Sequence, residues 1–123
     1  MKNLLAALVA TFALTFSTTT YAQSDATVVE LEQTEGAFTQ KSLTLEPGTY
    51  VFKVANVGVD RDLGFVLAPQ GKSGEAHHIK EAYVTELIKK GATSSSKVVT
   101  LEKGTYEYFC PLNPTPKYTL VVK

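Results

Sequence analysis

The chain has 123 residues, of which 44% are hydrophobic and 20% charged, and its 12 basic and 12 acidic side chains give a net charge of zero. This length suits one compact domain around one core. Charges of both signs are interspersed without a basic stripe, which argues against a nucleic-acid partner. The single cysteine, Cys110, excludes an intramolecular disulfide.

The first 22 residues have the anatomy of a secretory signal peptide. Lys2 carries a positive charge, residues 4–16 are almost wholly apolar, and Thr20 and Ala22 are the small residues of a cleavage site. The apolar run of about 13 residues is shorter than the roughly 20 that a membrane-spanning helix needs. We therefore expect cleavage after Ala22, leaving a domain of residues 23–123 without a membrane span, in the periplasm or secreted.

The rest of the chain is a series of short apolar or alternating segments separated by Gly and Pro. Strands spaced about eight to twelve residues apart are typical of sandwiches and barrels. We predict an all-β Greek-key β-sandwich of about seven strands, at 27–31, 38–45, 49–56, 63–68, 97–101, 105–110 and 117–122.

One further segment can be either a helix or a strand. Residues 82–88 follow a polar loop at 70–81 and fit either the helical or the strand period. A strand is favoured there, because Lys89, Lys90 and Gly91 end the segment like a turn.

The apolar positions of the predicted strands also predict the core. The predicted core residues are Tyr50, Phe52, Val54, Phe65, Val66, Tyr106, Tyr108, Leu120 and Val122.

One pattern occurs twice. "TLEPGTYVF" at 44–52 and "TLEKGTYEY" at 100–108 both combine a strand end, a glycine turn and a tyrosine that enters the next strand. A tyrosine in that place resembles the tyrosine corner of Greek-key sandwiches. The hydroxyls of Tyr50 and Tyr106 are therefore expected to bond back to nearby backbone.

Two stretches resemble the cupredoxins, the family of plastocyanin, azurin and pseudoazurin. "GTYEYFCP" at 104–111 is similar to the strand that leads into the copper loop, with Tyr106, Tyr108 and Cys110 on one face. "VFKVANVGVDRDLGFVLAP" at 51–69 is similar to the segment that carries the first histidine ligand. The resemblance implies a cupredoxin fold for roughly residues 38–122.

The resemblance also implies a copper site of two histidines, one cysteine and usually a methionine, a set that suits copper. Cys110 matches the thiolate, but Arg61 stands at the first histidine position and Asn113 at the second. Arg61 is permanently charged and cannot bind copper. Asp60 or Asp62, one position to either side, offers a hard oxygen ligand, and the only methionine is Met1. The usual blue copper set is therefore incomplete.

His77 and His78 are the remaining candidates for imidazole ligands. They are adjacent in the polar loop, and both can be solvated loop residues. Alternatively, one of them reaches Cys110 and completes a non-standard copper site. Prolines at three of the six positions from 111 to 116 instead predict a rigid cap at this end of the domain.

Two functions remain open, and no motif indicates an enzyme. The first is a non-catalytic binding or interaction module that has lost copper and meets a protein partner through the loops at 58–64 and 111–117. The second is a copper carrier or electron-transfer protein whose site is built on Cys110 with His77 or His78. In both, Arg61, Asp62 and Asn113 are expected to shape the mouth of the site.

Overall fold

A computed structural model describes residues 26–123, so the predicted signal peptide lies outside the described residues. Two short 3-10 helices, Glu75–His77 and Lys80–Ala82, lie between the fifth and sixth strands. The described part of the chain has nine strands: β1 (Thr27–Thr34), β2 (Ala37–Phe38), β3 (Ser42–Leu45), β4 (Gly48–Asn56), β5 (Val66–Pro69), β6 (Thr93–Ser95), β7 (Val99–Leu101), β8 (Gly104–Phe109) and β9 (Tyr118–Val122).

The strands form two sheets. One sheet has the order β2-β1-β4-β6, with β7 also paired to β4, and the other has the order β3-β9-β8-β5. β1 runs parallel to β4 and β3 runs parallel to β9, whereas the other pairs are antiparallel. Both sheets thus combine strands from distant parts of the sequence. The predicted all-β sandwich is confirmed.

The core lies between the sheets because strand side chains alternate between two faces. Along β4, Tyr50, Phe52, Val54 and Asn56 all face inward and are buried. Eight of the nine predicted core residues are buried. The exception is Tyr106, which is half-buried and packs against the edge of the core.

The strand boundaries differ from the prediction at several places, and β1 runs on to Thr34 while β5 begins only at Val66. The segment predicted as one strand at 38–45 is divided, because β2 pairs with β1 in one sheet and β3 pairs with β9 in the other. β6, which was not predicted, pairs with β4 through Lys53, Val54 and Ala55. Three polar residues, Thr-Ser-Ser, form β6 and carry no apolar alternation that would reveal it.

The strand favoured for 82–88 is wrong. A 3-10 helix ends at Ala82, and the following residues form only isolated bridges, from Val84 to Ser96 and from Ile88 to Leu63. Ala82 and Ile88 are fully buried, but Glu86 interrupts the inward set and is exposed. The segment is therefore anchored at its two ends and is irregular between them.

The tyrosine-corner prediction is confirmed at both places. The Tyr50 hydroxyl donates to the carbonyl of Glu46, and the Tyr106 hydroxyl donates to the carbonyl of Glu102 at 2.8 Å. Each bond joins a strand to the turn that precedes it. None of the helices in the described region is long and apolar enough to span a membrane.

Candidate functional site

Cys110 lies directly after β8, at the end of the sandwich where the proline-rich loop begins. It is a free cysteine with 1% of its surface exposed. The backbone N–H of Gly64 donates to its Sγ at 3.3 Å, and its own N–H donates to Oγ1 of Thr115 at 3.1 Å. The thiol is therefore held between the segment before β5 and its own loop.

Asn113 is fully buried, and every hydrogen-bonding position of its side chain is used. Nδ2 donates to Oε1 of Gln33 at 3.1 Å and to the carbonyl of Thr34 at 2.8 Å. Oδ1 accepts from the N–H of Gly36 at 2.7 Å and from Nη2 of Arg61 at 3.3 Å. This side chain ties the loop after Cys110 to the turn between β1 and β2.

Gln33 extends the connection toward the thiol. It lies near the end of β1 on the same face as Val29 and Leu31, and it is fully buried. Its Nε2 donates to the carbonyl of Gly64 at 2.8 Å, while its Oε1 accepts from Asn113. Because the N–H of Gly64 in turn bonds to the sulfur, a continuous polar chain runs from Asn113 to Cys110.

Arg61 closes the outer side of this chain. Its Nε donates to the carbonyl of Leu112 at 2.9 Å, and its Nη2 donates to Oε2 of Glu35 at 2.7 Å and to Asn113. Arg61 is exposed, as is Glu35, so this ion pair is screened by solvent. Together Arg61, Glu35, Gln33, Gly64, Asn113 and Cys110 form what we call the polar bridge.

The loop that presents Arg61 is fixed by Asn56. The buried amide of Asn56 donates to the carbonyls of Val59, Arg61 and Ile88 and accepts from the N–H of Val59 at 2.8 Å. Gly58 has a φ of 81°, which favours glycine, so the chain can turn sharply there. The "VANVG" stretch therefore determines where the Arg61 backbone lies.

Asp62 belongs to a different contact. Its Oδ2 lies 3.7 Å from Nζ of Lys89, and both side chains are largely exposed. The structure thus brings Arg61 and Asn113 together and orients Asp62 toward the 82–91 segment. No hydrogen bond joins Asp62 to the polar bridge within the described residues.

The two histidines lie in different environments. His77 is exposed, at the end of the first 3-10 helix. His78 is half-buried, and both of its ring nitrogens are engaged: Nδ1 lies 2.7 Å from the Tyr83 hydroxyl and Nε2 lies 2.9 Å from the Ser73 carbonyl. Its ring also packs edge-on against Phe109, with 6.0 Å between the ring centroids.

The donor set around Cys110 does not fit a blue copper ion. Asn113 has no unused lone pair, Arg61 is a cation, and the nitrogens of His78 are bonded elsewhere. Among the described residues, no group of three or more His, Cys, Asp or Glu side chains is placed to hold a metal ion. Copper prefers thiolate and imidazole together, and here only the thiol is at hand.

Comparisons with known proteins agree with this fold. A family model for the cupredoxin-like domain matches residues 4–122. The chain belongs to the cupredoxin-like family. The comparison with curated proteins gives no match.

Several solved structures share this fold. Auracyanin A, a "blue" copper protein from Chloroflexus aurantiacus, is 19% identical with a TM-score of 0.65, over 80% of this chain and 99% of that one. Auracyanin B is 23% identical with a TM-score of 0.64, over 80% and 90% of the two chains. An azurin from Methylomonas sp. strain J is 15% identical with a TM-score of 0.57, over 79% and 98%. At these identities the likeness extends to the fold alone.

Two side chains of the polar bridge, those of Gln33 and Glu35, were not predicted, and Gly64 joins the bridge through its backbone alone. Gln33 and Glu35 lie beyond Leu31, where the first strand was predicted to end. β1 in fact continues to Thr34, and Gln33 takes the next inward position after Leu31. A glutamine that continues an apolar, core-facing alternation was the available signal, because a buried amide requires partners.

Proposed function

We propose that this chain is a cupredoxin-like binding module that works without a copper centre. Exported to the periplasm or secreted, it is non-catalytic and meets a protein partner with the loops at 58–64 and 111–117. The observation that carries the proposal is the saturated Asn113 side chain, which stands where the family resemblance implies a histidine ligand.

The polar bridge supports this function by replacing the cross-link that a metal would provide. A metal joins its ligands from separate loops, and the bridge likewise joins the β1–β2 turn, the 58–64 loop and the 110–116 loop. Prolines at three positions of the 111–116 segment restrict it further. A loop held rigid before binding loses little entropy when a partner docks.

One observation favours the second function, a copper carrier or electron-transfer protein. The N–H of Gly64 donates to Sγ of Cys110, so the sulfur is held in a fixed position, as a metal ligand must be. Copper binding would then require His77 or His78 to move to the sulfur. His78 would have to give up its contacts with Tyr83 and Ser73.

A copper titration separates the two functions. The reduced protein is titrated with Cu(I) and Cu(II), followed by visible absorption and by competition with a chelator, beside the Cys110→Ala variant. We expect no thiolate-to-copper absorption band and the same weak affinity in both proteins. An intense band that is lost in Cys110→Ala would contradict the proposed function and establish the second one.

A further inference from the structure

An open groove of about 540 Å³ lies beside the polar bridge. Its walls are mostly apolar and include Phe65, Val66, Val84, Leu87 and Leu112. Leu87 and Leu112 are 54% and 44% exposed, so two leucines face solvent at its edge. A concave, mainly apolar site of this volume is typical of small-molecule pockets, which range over roughly 300–1,000 Å³.

Three polar side chains also line this groove: Glu75, His78 and Tyr83. The carbonyl of Ser73 can only accept, so Nε2 of His78 carries a hydrogen and donates to it. In the neutral ring, Nδ1 then accepts from the Tyr83 hydroxyl. The hydroxyl hydrogen is thereby used within the protein, and the Tyr83 oxygen presents lone pairs to a ligand.

The electrostatics of the groove favour a cation. Among the described residues that line it, Glu75 carries the only formal negative charge and no Lys or Arg is present. Desolvation of the hydroxyl and the nearby charge of Glu75 raise the pKa of Tyr83, so Tyr83 stays protonated. A carboxylate and a hydroxyl oxygen are both acceptors, and together they suit a donor group that is positively charged.

We propose that the groove binds a small apolar amine, with its apolar body between Leu87 and Leu112 and its ammonium group beside Glu75 and Tyr83. The inference goes beyond the proposed function, whose partner is a protein, and adds a class of small-molecule ligand. An anionic ligand is disfavoured, because Glu75 would repel it.

Three indole compounds of nearly equal shape and different charge test the proposal. Tryptamine is cationic, tryptophol is neutral and indolepropionate is anionic. The protein contains no tryptophan, so indole fluorescence arises from the probe alone. We expect saturable binding of tryptamine, about threefold to fivefold tighter than tryptophol at low salt and weaker as salt rises. Indolepropionate is expected to bind most weakly.

Two substitutions and one control locate the site. Glu75→Gln should remove the preference of the protein for tryptamine over tryptophol, and Leu87→Ser should weaken both. Glu81→Gln is the control, since Glu81 is an exposed acid outside the groove lining. Circular dichroism of each variant verifies that the fold is retained.

Several results would overturn the inference. One is the absence of saturable binding of any probe. Another is an affinity for indolepropionate that equals or exceeds the affinity for tryptamine. A third is tryptamine binding that is unchanged in Leu87→Ser. Self-association that is lost in Leu87→Ser and unaffected by tryptamine would assign the groove to a second copy of the chain and also overturn it. An absorption band from copper bound at Cys110 would contradict the proposed function but not this inference, because Cys110 does not line the groove.

Discussion

The side chain of Asn113 stabilises the end of the sandwich, because it holds three segments of the chain together. Its partners are Gln33 and the backbone of Thr34 and Gly36, and Arg61 covers it from outside. A buried donor or acceptor that loses its partner pays the cost of desolvation, which is more than the net value of one bond.

We therefore expect Asn113→Ala to reduce the free energy of unfolding by about 2–3 kcal/mol. Arg61→Ala should cost less than about 1 kcal/mol, because its ion pair with Glu35 is exposed. Urea denaturation of both variants measures the difference. Equal losses of unfolding free energy in the two variants would contradict this expectation. They would show that the exposed contacts of Arg61 contribute as much as the buried contacts of Asn113.

The contact between Asn113 and Gln33 can be isolated by a double-mutant cycle. Gln33→Ala, Asn113→Ala and the double variant should show a coupling free energy of about 1 kcal/mol or more, since the two amides share a buried hydrogen bond. Additive effects of the two substitutions would mean that this contact contributes nothing to stability.

At the scale of elements, the two tyrosine corners provide a matched pair. Tyr50 is buried and bonds to Glu46, whereas the bond from Tyr106 to Glu102 is exposed to solvent. Tyr50→Phe should therefore reduce the free energy of unfolding by about 1 kcal/mol, and Tyr106→Phe by less than about 0.5 kcal/mol. Chemical denaturation of the two variants measures both losses. A larger loss for Tyr106→Phe would show that the stability contributed by a tyrosine corner is not set by its exposure.

The sequence predicted most strands and left particular residues of the site undefined, for physical reasons. Alternation revealed β4 and β8, because one face of each is apolar and packs in the core. β6 has only polar residues, so no apolar pattern indicates it. It is formed by pairing with the edge of β4, which lies far away in the sequence. The role of Gln33 depends on Asn113, which is 80 residues away in the chain, and local patterns cannot show such a contact.

The candidate ligands illustrate the same limit. Spacing from Gly58 and Cys110 places Arg61 and Asn113 at the histidine positions, and the structure brings these two side chains within 3.3 Å of each other. It also shows that His78 bonds to Tyr83 and Ser73, which are each five residues away. The conformation of the 70–83 loop sets these contacts, and its sequence has no periodicity from which they could be predicted.

For the whole molecule, Tyr108 predicts how stability changes at high pH. Tyr108 is fully buried, and its hydroxyl donates to the carbonyl of Gln40 at 2.7 Å. Burial, with a smaller effect from Tyr118, raises the pKa of Tyr108 to about 12 from its ordinary value of 10.0. The unfolded chain therefore releases this proton at a lower pH than the folded protein does.

Stability from this tyrosine is full below about pH 10 and is lost as the pH rises toward about 12. Thermal unfolding at a series of pH values should show a steeper loss of Tm in this window for the wild type than for Tyr108→Phe, which cannot ionise. Identical slopes for the two proteins would show that Tyr108 does not contribute to the alkaline transition.

We propose that a hydrogen-bonded bridge stands where the family resemblance implies a copper centre. Nuclear magnetic resonance of the side-chain amides of Asn113 and Gln33, in isotope-labelled protein with and without Cu(I), tests it most directly. We predict slow hydrogen exchange for both amides, since both are fully buried, and no change when Cu(I) is added. Rapid exchange without metal, or amide signals that shift as Cu(I) binds at Cys110, would contradict the account.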